Sequence, residues 1–384
     1  MHLLCLSGND ILTSDTLSRL SSNPSSGPLF PKLEWLDWDI HAAHTALPFF
    51  NLFLSPNLRK VSLYISFNLP NIPGDLLPPL VRIISLLPTS IGYVSVKCSR
   101  NDEPLKDAVS SYIGRCGSSL GLFEARVPLS KAATDHLMQL PNLTHWTTTQ
   151  PPPRVVPTSI FPSLKSIHLE EPEALPWLSL LASHERDVLR DGSTSATSHK
   201  NVRDTLTSIN FPVTIVDSTF LPSITKFRNL VTLDMRAHCP EWGSCNFRLT
   251  DDDMEGLAVA LPRLSSLRFG TPCGARSCNA TVASLLSLSV HCLDLTVLET
   301  HFNTKTIVSD MQHLLEGGDG RDEAKPKLRR LVVGRMIPRM LGKDVETVAL
   351  GFKAIFPCLK GFDNWRSGWN QLESKLANQG ELGR

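Results

Sequence analysis

The chain has 384 residues, 41% apolar and 20% charged, with 38 lysines and arginines against 37 acids and a formal net charge of +1. That balance excludes an electrostatic case for nucleic acid or an anionic membrane as partner. The apolar share is ordinary for a soluble chain with a good core, and no uninterrupted apolar run reaches membrane-spanning length.

Residues 1–28 read as a partial or truncated first repeat. Met1–Leu6 (MHLLCL) predicts a strand with no cap before it, Thr13–Leu20 a short helix and Asn23–Pro28 a loop. The chain opens within a unit, and residues ahead of Met1 in a longer product are expected.

From Leu33 a unit recurs. Its anchors are Leu33, Leu58, Ile91, Leu120, Leu143, Leu164, Leu206, Leu230, Leu264, Leu295, Leu328 and Leu359. Each has an apolar residue three positions on, a property used in choosing them. The position five after the anchor is an independent test: Trp38, Leu63, Val96, Ala125, Thr148, Leu169, Phe211, Met235, Phe269, Thr300, Val333 and Asn364, nine of twelve apolar against 41% overall. The anchors span 326 residues in eleven intervals, about 30 residues each and slightly longer than usual leucine-rich-repeat periods. An apolar-proline pair or a close relative often precedes the anchor, as in FPKL at Phe30, SPNL at Ser55, LPNL at Leu140, FPSL at Phe161, LPRL at Leu261, KPKL at Lys325 and FPCL at Phe356. Proline ends the preceding helix, and its missing N–H matters little ahead of the first paired strand residue.

Helices are predicted in the intervals, over Ala42–Leu54, Leu76–Leu87, Pro104–Arg115, Lys131–Leu140, Ala174–Leu189, Ser218–Lys226, Asp251–Leu261, Ala280–Val290, Lys305–Leu315 and Val345–Ile355. Residues 191–200 (DGSTSATSHK) form a loop insertion, Gly317–Lys327 a second loop, and residues 366–384 a C-terminal cap or tail with a helix over Gln371–Ala377. The clearest unit is Arg248–Gly270. Thr250 caps a helix with Asp253 pointing back, Asp251–Asp253 crowd the positive end of its dipole, and Leu264, Leu267 and Phe269 follow as a strand with one side buried.

The fold class expected is α/β: one leucine-rich-repeat solenoid over residues 1–384, with a curved parallel sheet on the concave face and helices on the convex face. Strand alternation then puts positions two, four and six after each anchor on the concave side. The candidate partner-binding residues there are Trp35, Asp37, Asp39, Tyr64, Asp234, Arg236, Arg268, Glu299, His301 and Arg330. Arginine and aromatic side chains are the usual anchors of protein interfaces, and Arg236, Arg268 and Arg330 are expected to form one continuous patch.

No catalytic constellation is found: the chain has no phosphate-binding glycine loop, nucleophile elbow or H-E-x-x-H. Catalytic residues, cofactors and metal ligands are each read as none. Cys239, Cys245, Cys273, Cys278 and Cys292, with His238 and His291, lack the paired spacing of a structural zinc site. Nine cysteines without regular spacing and no cleavable signal point to a reducing compartment, cytoplasmic or nuclear.

The phrases FPKLEWLDWD (30–39), LTDDDMEGLAVALPRL (249–264), LPRLSSLRFG (261–270) and HFN after CLDLTVLET (292–303) resemble the leucine-rich-repeat region of F-box proteins, especially the large fungal groups. The resemblance covers nearly the whole chain. It implies that the repeats hold a protein substrate for an SCF-type ubiquitin ligase, while an N-terminal F-box binds the adaptor Skp1. No F-box helices precede the first repeat, so only the repeat role carries over. Skp1 is an expected partner only if an F-box lies upstream of this chain. The alternative is a stand-alone repeat scaffold or inhibitor with no link to ubiquitination.

Overall fold

A computed structural model describes residues 3–6, 13–22, 27–39, 44–64, 77–98, 102–153, 160–169, 174–183, 201–213, 215–237, 246–269, 279–300, 303, 306–317, 327–333, 342–359 and 361–363. In chain order the elements are β1 (Leu3–Leu6), α1 (Ser14–Ser21), β2 (Trp35–Asp39), a 3-10 helix (His44–Phe53), β3 (Lys60–Tyr64), α2 (Leu77–Leu86), β4 (Tyr93–Lys97), α3 (Glu103–Arg115), β5 (Leu122–Ala125), α4 (Lys131–Gln139), β6 (His145–Thr148) and β7 (Ser166–Leu169). They continue with α5 (Ala174–Ser183), α6 (Val202–Thr205), β8 (Ser208–Val213), β9 (Ile215–Val216), a 3-10 turn (Ser218–Phe220), α7 (Leu221–Ile224), β10 (Thr232–Ala237), β11 (Asn246–Phe247), α8 (Asp251–Ala260), β12 (Ser266–Arg268), α9 (Val282–His291), β13 (Val297–Thr300), α10 (Ile307–Glu316), β14 (Arg330–Val333), α11 (Gly342–Ile355) and β15 (Gly361–Asp363).

The chain divides into two compact units, Met1–Glu173 with Arg186–Thr205 and Ala174–Glu185 with Leu206–Arg384. In the first, the sheet order is β1-β2-β3-β4-β5-β6-β7, every neighbouring pair parallel. In the second it is β8-β10-β12-β13-β14-β15, again parallel throughout. Parallel neighbours in sequence order require a crossover after each strand, which the intervening helices supply. Each unit is therefore an α/β leucine-rich-repeat solenoid segment. A small parallel pair, β9 with β11, accompanies the second sheet and has no counterpart in the sequence reading.

The anchors explain this order. Every strand from β2 to β15, apart from β9 and β11, begins two residues after its anchor. All the anchors are at most 3% exposed. Among the described side chains, every position three and five after an anchor is buried as well, including the polar Thr148 and Thr300 at 5% and 2%. The period-two parity thus outranks residue type: a threonine in the inward register is buried like the leucines beside it.

Two backbone devices fix the register. The anchor N–H closes a turn onto the carbonyl three residues earlier: Leu33 on Phe30 at 2.9 Å, Leu58 on Ser55 at 3.1 Å, Leu264 on Leu261 at 3.2 Å and Leu359 on Phe356 at 3.0 Å. Proline stands second in each of these turns, where its fixed φ is favoured. It thus shapes the entry to the strand in addition to ending the helix. The carbonyl after the anchor then accepts two N–H groups from the next repeat. Glu34 takes Arg59 and Lys60 at 2.8 and 3.0 Å, and Gly121 takes Thr144 and His145 at 2.7 and 3.2 Å. In the second unit Val231 takes Ser265 and Ser266 at 2.8 and 3.1 Å. Such a bond depends on no side chain, so it tolerates the irregular sequence of the repeats.

Helices pack on the inward side of each sheet. Trp38 of β2 stacks on Phe50 at 5.4 Å and meets Phe53 edge-on at 5.3 Å, pairs each worth about 0.5–1.5 kcal/mol beyond area burial. Phe161 is the one non-glycine residue with positive φ (51°) among the described residues. That conformation costs about 1–3 kcal/mol. Full burial against Trp146, 5.0 Å away, and a 2.6 Å hydrogen bond from its N–H to the Met138 carbonyl hold it in place.

Most predicted helices lie within a few residues of the observed ones. The interval Ala42–Leu54 is instead a 3-10 helix at His44–Phe53 that contains Pro48, a residue that deprives an α-helix of a donor. Ser218–Lys226 is split into a 3-10 turn at Ser218–Phe220 and the short α7, which carries Pro222 in its first turn. Residues 184–189, 191–200, 318–326 and 364–384 lie outside the described residues, and with them the predicted loop insertion, most of the second loop and the C-terminal cap.

Candidate protein-binding face

The residues two, four and six after each anchor occupy the sheet face opposite the buried positions. In the first unit, register sets them in rows across the strands. Trp35, Lys60, Tyr93, Leu122, His145 and Ser166 align in one row. Asp37, Ser62, Ser95, Glu124, Thr147 and His168 form the next, and Asp39, Tyr64 and Lys97 a third. Large side chains in the outer rows stand on either side of the serines of the middle row. Trp35, Asp37, Asp39 and Tyr64 are all half-buried on this face, so four of the expected residues share two adjacent strands.

Glu124 organises the middle of the face. It accepts a hydrogen bond from Ser95 Oγ at 2.9 Å and one from the Tyr93 hydroxyl at 3.4 Å, and pairs with Lys97 Nζ at 3.2 Å. Ser95 is fully covered by this arrangement. Burial, then the Glu124 and Asp37 charges, push the Tyr93 hydroxyl above its usual pKa, with the Ser95 hydrogen bond pulling the other way. His145, next to Glu124's strand, is held below its usual value by burial and the Lys165 charge, against the pull of Glu124. Lys60 places its ammonium 5.1 Å from the Trp35 ring centroid, a cation–π contact. Trp35 and Asp37 were expected on this face from the sequence; Glu124 and His145 were not. Their adjacency needed the strand register, which the anchor alignment already contained.

In the second unit Asp234, Arg268 and Glu299 align across β10, β12 and β13. Asp234 is only 4% exposed and pairs with Arg268 at 3.8 Å, so what this pair presents outward is chiefly the guanidinium. Arg330 is exposed but lies two strands beyond Arg268 and two residues back. With strand spacing of about 4.8 Å and a rise of about 3.3 Å per residue, their backbone positions are about 12 Å apart. Arg236 belongs to β10 by its backbone; its side chain, like all of His301, lies outside the described residues.

The acids at the start of α8 do structural work. Thr250 and Asp253 form the expected reciprocal cap, with Asp253 N–H to Thr250 Oγ1 at 3.2 Å and Thr250 N–H to Asp253 Oδ2 at 2.9 Å. Asp251 reaches the next helix instead. It accepts the Thr281 N–H and hydroxyl, each at 2.7 Å, the Ser284 N–H at 3.1 Å and the Ser284 hydroxyl. Burial alone would raise its pKa; the bonds from Ser284 and Thr281 outweigh that and hold it below the usual aspartate range. Of the cysteines weighed for zinc only Cys292 lies among the described residues. Its thiol is buried, its pKa pushed up to about 12 by burial, and it lies 3.6 Å from the Leu261 carbonyl.

No described helix is long and apolar enough to cross a membrane. No protein-family model and no curated protein matches the chain. Among solved structures, the leucine-rich repeat-containing protein LegL7 from Legionella pneumophila is similar at 9% identity and a TM-score of 0.38, over 98% of each chain.

Proposed function

We propose that this chain is a protein-binding repeat domain that recognises a partner through the accessible face of its sheets and acts in the cytoplasm or nucleus. The observation that supports it is the parity of the strands. Among the described side chains one parity is buried in the core, while the other carries aromatic, acidic and basic side chains in register, most of them half-exposed. Aromatic side chains lose little conformational entropy on contact, and arginine adds a planar set of donors, which suits both to recognition. On the resemblance of its repeats to those of F-box proteins, the partner would be a substrate presented to an SCF-type ubiquitin ligase, with Skp1 engaged through an F-box upstream of this chain.

The test is affinity capture from the native cell extract. Wild type is compared with a variant carrying Trp35→Ser, Tyr64→Ser and Arg330→Ala, and each captured protein is re-assayed in purified form. The reading expects a direct partner whose affinity falls at least tenfold in the variant (about 1.4 kcal/mol) at an unchanged melting temperature. Equal capture by both proteins contradicts it. Ubiquitination of that partner in a complete reconstituted SCF-type ligase holding an upstream-extended chain and Skp1 would support the ligase role. A partner that is bound but never modified would favour the scaffold or inhibitor.

A further inference from the structure

We propose that Asp37 is the recognition carboxylate of the first unit's sheet face and that it receives an arginine side chain of a protein partner. The inference rests on the protein-binding reading above and names the chemistry that the face selects. Asp37 and Glu124 stand in the same row, with Ser62 and Ser95 between them. Their environments differ. Glu124 is saturated by Ser95, Tyr93 and Lys97. Among the described residues Asp37 makes no hydrogen bond and no ion pair, although it is half-buried. The nearest cation in register, Lys60, is turned onto the Trp35 ring, 5.1 Å from its centroid. The Trp35 indole N–H is itself buried without an acceptor among the described residues.

A carboxylate removed in part from water and left without a donor is costly unless something completes it. The small Ser62 side chain beside it leaves room, and Tyr64 and Tyr93 stand on the rows to either side. Lys97 pairs with Glu124 and Lys60 is turned onto Trp35, which leaves the Asp37 carboxylate without a cation among the described residues. An acid beside aromatic rings fits a planar guanidinium better than an ammonium. The guanidinium can bind the carboxylate through two parallel N–H groups and lie flat on a ring.

The experiment selects dodecapeptides by phage display on the full-length protein, from a fully random library and from one lacking arginine codons. The recovered peptides are measured by calorimetry against wild type, Asp37→Asn and Asp252→Asn, the last removing an exposed acid on α8. The expected result is an arginine in the binders from the random library and a loss of at least about tenfold on Asp37→Asn. Asp252→Asn leaves affinity unchanged, and Asp37→Asn melts no lower than wild type. Replacing the selected arginine by lysine should weaken binding, and by citrulline remove the dependence on Asp37. Binders without arginine, or arginine peptides indifferent to Asp37→Asn, overturn this proposal and leave the protein-binding reading standing. No binders from either library overturn both.

Discussion

The two units solve the same problem of placing a carboxylate on an accessible sheet face, and they solve it differently. In the second unit Asp234 is 4% exposed and lies under Arg268, so its charge belongs to the packing of the sheet. In the first, Glu124 keeps a side chain 26% exposed with three donors around it, while Asp37 in the same row has none among the described residues. The contrast separates a charge that serves the fold from one that the described residues leave without a donor, although both arise at the position four after an anchor.

The largest effect should fall on what the units share. Leu36→Asp and Leu267→Asp each bury a carboxylate where the native side chain is fully covered. Each should cost at least about 4 kcal/mol, from the lost leucine and the unpaired charge together, and denaturant titration would read it. A cost below about 1 kcal/mol at either site would remove that strand from the core. The next effect should separate the units. Arg268→Ala leaves Asp234 buried without its ion pair and should cost about 1–3 kcal/mol. The equivalent change in the first unit, Lys97→Ala, should cost no more than about 0.5 kcal/mol, because Lys97 is 40% exposed. Equal losses in the two variants would erase the distinction. Arg268 is consequently a poor choice for a test of binding that requires an intact fold.

Smaller again is the link between α8 and α9. Asp251→Ala removes four acceptor contacts and should cost about 1–2 kcal/mol in a melting experiment. Because the folded carboxyl has the lower pKa, this contribution is present in full above the unfolded value of about 3.9. It is lost as pH falls through the lower folded value. The gap between wild type and Asp251→Ala should therefore close in strong acid, and a gap constant down to pH 2 would assign the effect to packing. Smallest of all should be the Thr250 cap: Thr250→Ala should cost about 1 kcal/mol or less, since the cap lies at an exposed helix start.

How much of this the sequence displayed depends on range. The anchors and the positions three and five beyond them follow from a period of two within one segment. They located every strand from β2 to β15 except β9 and β11, and the capping box of Thr250 and Asp253 is equally local. Asp251 was legible only as one of three acids at a helix start. Its partners Thr281 and Ser284 lie 30 and 33 residues away, and no periodicity distinguishes a cap for its own helix from a cap for the next. Likewise Asp234 and Glu124 occupy the same repeat position. Whether a carboxylate is covered depends on the residues that neighbouring strands set beside it, Arg268 of β12 in one case and Ser95 and Lys97 of β4 in the other. β9 and β11, two residues each, are too short to carry a pattern.

The central claim is that recognition belongs to the accessible sheet parity and not to the helices. It is tested most directly by titrating the selected arginine peptide against four single variants of the first unit. Tyr64→Ser and Tyr93→Ser change the sheet face, and Arg82→Gln and Leu86→Ser change exposed positions of α2. The expected result is a loss of about tenfold in each tyrosine variant and wild-type affinity in both α2 variants. Wild-type affinity in the tyrosine variants with a loss in those of α2 would contradict the claim and place recognition on the helices.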